Sequence, residues 1–171
     1  PLGNWDVSKV TDFTGMFEGA LSFDQVISDW NTSSAFRTWA MFHNAHAFNQ
    51  DISQWDLSSV STLKHMFKDA RSFNQDIESW DTSAVTDMNG TFKGAIAFDQ
   101  DISDWNVSSV TNFAESFANA DSLSDAKKGL IHESFSSNPY WPYDWSEFVS
   151  DSNSTPSDDY HQTQPSQPDS N

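Results

Sequence analysis

The chain has 171 residues, no cysteine, and 25 acidic against 8 basic residues, a formal net charge of −17. Without cysteine it has no disulfide framework and no thiolate metal site. The charge disfavours nucleic acid and anionic membranes and favours cations and basic partners; no apolar run approaches a membrane span and no signal peptide is visible.

Trp5, Trp30, Trp55, Trp80 and Trp105 recur every 25 residues. A period in that range indicates stacked repeats, each unable to bury its apolar face alone. Asp or Asn follows each Trp (Asp6, Asn31, Asp56, Asp81, Asn106), and Ser stands two residues further on. Phe17, Phe42, Phe67, Phe92 and Phe117 form another column. Phe23, Phe48, Phe73 and Phe98 form a further one, which ends at Leu123.

The first unit opens at Pro1-Leu2-Gly3-Asn4-Trp5, which aligns with Asp101-Ile102-Ser103-Asp104-Trp105. A repeat that starts inside a strand with no cap suggests a fragment of a longer protein. The second unit departs from the pattern at Ala35-Phe36-Arg37-Thr38-Trp39, where Trp39 is expected to fill a packing gap. In the third, Val60, Leu63, Met66, Phe67 and Ala70 share one face at helical spacing, with Ser58 or Ser61 placed to cap it. The short run around Ile52 reads as a strand. The expected fold is therefore an α/β repeat, a solenoid with one short parallel strand and one short helix per 25-residue turn.

The Trp and Phe columns are read as core ladders, since each aromatic buries about 150–250 Å². An exposed Trp row for stacking on sugars is the alternative. If Ile52 points inward, Asp51 and Ser53 point outward, and with Asp76, Glu78, Asp101 and Ser103 they line an acidic binding face. The ladder of Asp51, Asp76 and Asp101 is read as carboxylates satisfying backbone amides, with calcium along it as the alternative. His43, His46 and His65 fall in variable polar columns and are read as solvent-facing rather than metal-binding.

Residues 124–149 break the repeat. Ala126, Leu130, Ile131 and Phe135 read as an amphipathic helix begun by Ser122 or Ser124 and stopped by Asn138-Pro139. Tyr140, Trp141, Tyr143, Trp145 and Phe148 read as an aromatic lid, or alternatively as a carbohydrate-stacking surface. Residues 150–171, rich in Ser, Pro, Asp and Gln, read as a disordered tail after the five repeats of 1–123.

The segment Phe48-Asn49-Gln50-Asp51-Ile52-Ser53-Gln54-Trp55-Asp56 and its counterpart Phe98 to Asn106 resemble the BspA-type leucine-rich repeats of bacterial surface proteins, also seen in mycoplasma surface lipoproteins. The resemblance spans roughly residues 1–123. It implies a leucine-rich-repeat-like solenoid at the cell surface or outside the cell, in adhesion or protein interaction, with a protein or glycan ligand. No acid, base and nucleophile constellation appears, so the expectation is a binding module and not an enzyme. A carbohydrate-binding module is the second reading.

Overall fold

A computed structural model describes residues 2–150. The tail expected from Asp151 on lies outside these residues. Among the described residues there is one α-helix, α1 (Asp125–Phe135), and two short 3-10 turns, Leu2–Asn4 and Ser146–Phe148. There is no named strand and no sheet; three isolated parallel bridges join Asp12 to Arg37, Thr62 to Asp87, and Asp87 to Asn112. The expected α/β solenoid of one strand and one helix per turn is therefore incorrect. What repeats is a coil made almost wholly of turns. The coils are taken here to end at Gln25, Gln50, Gln75, Gln100 and Asp125.

The apolar spacing that reads as a helix from Val60 to Ala70 arises another way. His65 and Asp69 have φ of 55° and 56°, as do their equivalents in every coil, for example Gly90 at 57° and Gly94 at 69°. Left-handed residues four apart preclude an α-helix. The amides then alternate. Leu63, His65, Phe67 and Asp69 donate to the carbonyls of Asp87, Asn89, Thr91 and Lys93 in the next coil, at 2.7–3.0 Å. Met66, Lys68 and Ala70 donate three residues back within their own coil. Ser58 caps nothing: its amide and hydroxyl both donate to Asp56 Oδ1.

The expected strand at Ile52 fails because side chains take the places of a backbone ladder. The Asn49 amide donates to Asp24 Oδ1, and the Ser53 amide donates to Asp51 Oδ1. The Ile52 carbonyl accepts from the Trp55 amide and from Trp80 Nε1 of the following coil. The column of Asp24, Asn49, Asn74 and Asp99 repeats this role. Each side-chain oxygen accepts the amide of the equivalent residue one coil later, at 2.8–3.0 Å. The first three also accept from a Gln, namely Gln50, Gln75 and Gln100.

Inside the coils the aromatics stack. Phe42 lies 5.7 Å from Phe67, and Phe67 lies 5.7 Å from Phe92, all nearly parallel. Within a coil, Phe67 stacks on Phe73 at 3.9 Å. Trp30, Trp55, Trp80 and Trp105 are buried, and each indole N–H donates to a carbonyl of the preceding coil. Trp5 differs from the core ladder expected of it, being 60 % exposed. No carbonyl of a preceding coil is available to its indole among the described residues. In the second coil Trp39 fills no gap either: it is 46 % exposed. Thr38 compensates there, its hydroxyl donating to the Thr62 carbonyl that a main-chain amide reaches elsewhere.

After the fifth coil, other groups take the place of a sixth. The Phe117 amide, whose equivalents donate to a following coil, donates to Tyr143 Oη at 3.0 Å. Burial raises the Tyr143 hydroxyl above its ordinary pKa, favouring the neutral form. Trp141, Tyr143 and Trp145 meet the Phe117 ring edge-on. Asn138 Nδ2 donates to the carbonyls of Val107 and Val110, and Ser134 Oγ to that of Ser103. Helix α1 contributes Ile131 and Phe135 to the core, while Leu130 remains exposed. Ser124 precedes the helix, but its hydroxyl donates to Asp99 Oδ1 instead of capping it.

Four substitutions test this packing by their effect on stability. Phe67→Ala is expected to cost about 3–5 kcal/mol by chemical denaturation, through lost transfer energy and a residual cavity. Phe117→Ala is expected to cost nearly as much because four aromatic rings surround it; a loss under about 1 kcal/mol there contradicts a packed cap. Asn74→Ala is expected to cost about 1–3 kcal/mol, since it strips a half-buried amide of its acceptor. Asn74→Asp is expected to cost far less, because Asp24 and Asp99 already serve in that column.

Candidate functional site: an acidic edge and a polar groove

The residues from Asp51 to Asp56, with their equivalents in the other coils, form one edge of the stack. Asp51, Asp76, Glu78, Asp56, Asp81 and Asp104 are exposed there, while Ser53, Asp101 and Ser103 are half-buried. Ile52 and Ile77 beneath them are fully buried. No Lys or Arg occurs between position 51 and 56, or in the equivalent stretches 26–31, 76–81 and 101–106. The cation nearest this edge comes from α1, where Lys127 Nζ lies 3.8 Å from Asp101 Oδ2. The six residues of the expected binding face are thus brought to one edge, although no sheet underlies them.

The backbone fixes these carboxylates. Asp51, Asp76 and Asp101 each accept the amide two residues on, at 2.9–3.0 Å. Asp56 accepts both the hydroxyl and the amide of Ser58, at 2.6 and 3.0 Å. The Ser58 hydroxyl, then its amide, hold Asp56 below the ordinary carboxylate value of 3.8, against a smaller opposing effect of burial and of Asp81. Ser83 acts likewise on Asp81 and Ser8 on Asp6, and the Ser53 amide depresses Asp51. One oxygen of each carboxylate is thereby engaged, and in Asp6, Asp51, Asp56 and Asp81 the charged form is favoured. For the calcium alternative, no group of three or more His, Cys, Asp or Glu side chains is placed to hold a metal ion among the described residues.

The histidines lie on a different side. His43 Nδ1 is 2.9 Å from Glu18 Oε1, and the His43 and His65 rings are 6.1 Å apart. Burial, with Lys68 next, lowers the His65 pKa, so its neutral form is favoured.

Sequence reasoning missed a groove of about 310 Å³ lined by Arg37, Trp39, Ser61, Thr62, Lys64, Thr86 and Asp87. Its signal was present in the columns. Thr14, Lys64, Asn89 and Ala114 occupy the equivalents of Trp39, so an indole there departs from a polar or small surface column. Lys64 Nζ lies 5.6 Å from the Trp39 ring centre, and Arg37 Nη1 lies 3.7 Å from Asp12.

Two overlapping stretches, residues 1–83 and 55–137, match the family described as Mycoplasma protein of unknown function, DUF285. The chain belongs to this family. No curated protein matches it, and no solved structure does. The matched stretches of this DUF285 chain run through all five coils and α1. No helix among the described residues is long and apolar enough to cross a membrane.

The depressed carboxylates give a pH dependence. A group whose pKa is lower folded than unfolded contributes stability above its unfolded value and loses it as pH falls through the folded one. Thermal stability of the DUF285 chain is therefore expected to fall as pH drops below 3.8, the ordinary value of Asp6, Asp51, Asp56 and Asp81. A triple Asp6, Asp56, Asp81→Asn variant should show a shallower decline in melts recorded down to about pH 2. Asn31 and Asn106 accept the same Ser amide in that column, so the turns are retained.

Proposed function

We propose that this chain is a non-catalytic interaction module of the BspA-like kind, displayed at a cell surface and binding a protein through its acidic edge. The observation that carries this reading is the register of the edge. Carboxylates at Asp51, Asp76 and Asp101, and at Asp56 and Asp81, stand in columns on a backbone bonded coil to coil. A fixed row of like charge, offset at Asp101 by Lys127, attracts a partner of opposite charge and sets its approach before contact. The Asx turns add a second support. The side chains are already ordered, so binding loses little conformational freedom.

The resemblance to surface proteins supports display outside the cell, and protease treatment of intact cells tests it: a chain that survives until the cells are lysed overturns that part. The carbohydrate alternative based on the aromatic lid has less behind it, since Trp141, Tyr143 and Trp145 pack on Phe117.

The binding test uses a lysine-rich peptide as probe. Affinity is expected to fall at least tenfold as salt rises from about 0.05 to 0.5 M, because screening shortens from more than 10 Å to a few Å. Asp51, Asp76, Asp101→Asn together should weaken binding while leaving the melting temperature within a few degrees, since Asn retains the turn acceptor. Binding that ignores both salt and the triple substitution removes the acidic edge as the interaction surface.

A further inference from the structure

The groove beside Trp39 lies away from the acidic edge and has a different chemistry. Four coils contribute to its surroundings. Arg37 and Trp39 come from the second, Ser61, Thr62 and Lys64 from the third, and Thr86 and Asp87 from the fourth. Asp12 of the first coil reaches Arg37.

Trp39 has no role in the core. It is 46 % exposed, and its neighbour Phe36 is 49 % exposed, whereas the other aromatics of the second coil, Trp30, Phe42 and Phe48, are buried. An exposed indole held next to polar groups is a flat apolar surface in a polar frame. That combination suits a ligand with one apolar face and a hydroxylated rim.

The charges around it set the class of that ligand. Arg37 and Lys64 are balanced by Asp12 and Asp87, so the groove is locally neutral in a chain of net charge −17. Neutrality gives no advantage to an anion or a cation. The groups instead offer both hydrogen-bonding senses. The guanidinium and ammonium donate only, and the carboxylates accept only. A sugar hydroxyl donates and accepts at once, and so pairs with both.

Size agrees. About 310 Å³ is at the small end of ligand sites, which run from roughly 300 to 1,000 Å³. It accommodates one or two sugar rings and not a long chain. The hydroxyls of Ser61 and Thr86 donate to the carbonyls of Phe36 and Ser61, which keeps the groove floor rigid.

We infer that the groove of Trp39, Arg37, Lys64 and Asp87 is a subsite for a neutral saccharide, with the indole as stacking platform and the charged side chains as hydroxyl partners. The inference does not depend on the acidic edge. The two respond differently to salt, which separates them in one experiment.

The test is a titration of the full chain with neutral oligosaccharides: chitotriose, cellotriose, maltotriose and mannotriose. The readout is the indole N–H resonance of Trp39, assigned by its loss in Trp39→Phe. At least one sugar should shift that resonance saturably, with Kd between about 10 µM and 10 mM. The shift should change less than twofold across a salt range that abolishes lysine-peptide binding. Trp39→Ala should eliminate saturation seen at the remaining resonances, and Asp87→Asn should weaken it at least threefold. A normal melting temperature for each variant keeps the comparison valid. No shift with any of the four sugars, equal binding by Trp39→Ala, or a shift produced only by a charged peptide overturns the proposal.

Discussion

Alternate backbone amides of each coil are committed to the next. In the third coil, Leu63, His65, Phe67 and Asp69 donate outward, and Met66, Lys68 and Ala70 donate inward. This alternation requires left-handed residues at His65 and Asp69 and fixes a register of 24 residues between donor and acceptor. Once the register is fixed, equivalent side chains must superpose, which is why Phe stacks on Phe and Trp on Trp. Polar side chains extend the same rule. Asn49 Oδ1 accepts one amide and one Gln side chain from the coil that follows, where main-chain carbonyls are directed elsewhere.

The end of such a stack presents donors and acceptors without a following coil, and the C-terminal segment meets several of them with groups of different chemistry. A phenol replaces a carbonyl at Phe117, a carboxamide covers Val107 and Val110, and edge-on rings replace a parallel one. Among the described residues no buried side-chain nitrogen or oxygen is left without a partner. A core that depends on aromatic area thus closes without a repeat of the same shape.

The 25-residue period was legible because identical columns are a property of sequence before they are a property of structure. The secondary structure was not. Val60, Leu63, Met66, Phe67 and Ala70 satisfy a helical spacing, yet the turns between left-handed residues bring the same positions inward. Nothing in the apolar pattern separates the two, but His65 aligned with Gly15 and Gly90, and Asp69 aligned with Gly19 and Gly94, pointed to positive φ. The Asp and Asn columns were legible as amide acceptors, but not the coil-to-coil bond of Asn49, which no local motif encodes. Trp39 was misread because an aromatic residue in an irregular unit suggests burial, and only the polar identity of Thr14, Lys64 and Asn89 argued against it.

The distribution of basic residues has a consequence for degradation. A trypsin-like protease cuts after Lys or Arg and must draw several residues of extended backbone into its cleft. The bonds after Lys9, Lys64, Lys68, Arg71 and Lys93 all have their scissile amide engaged in a backbone hydrogen bond, three of them to the next coil. Those after Lys127 and Lys128 lie inside α1. At the Arg37–Thr38 bond the Thr38 hydroxyl, and not its amide, takes the Thr62 carbonyl, but the Arg37 carbonyl accepts the Phe13 amide of the first coil at 2.9 Å. At Arg37, Lys64, Lys68, Arg71 and Lys93 cleavage requires parting one coil from another. Among the basic residues of the coils, Lys9 is the one followed by an amide bonded within its own coil, so the first coil is where a cut needs the least separation of the stack.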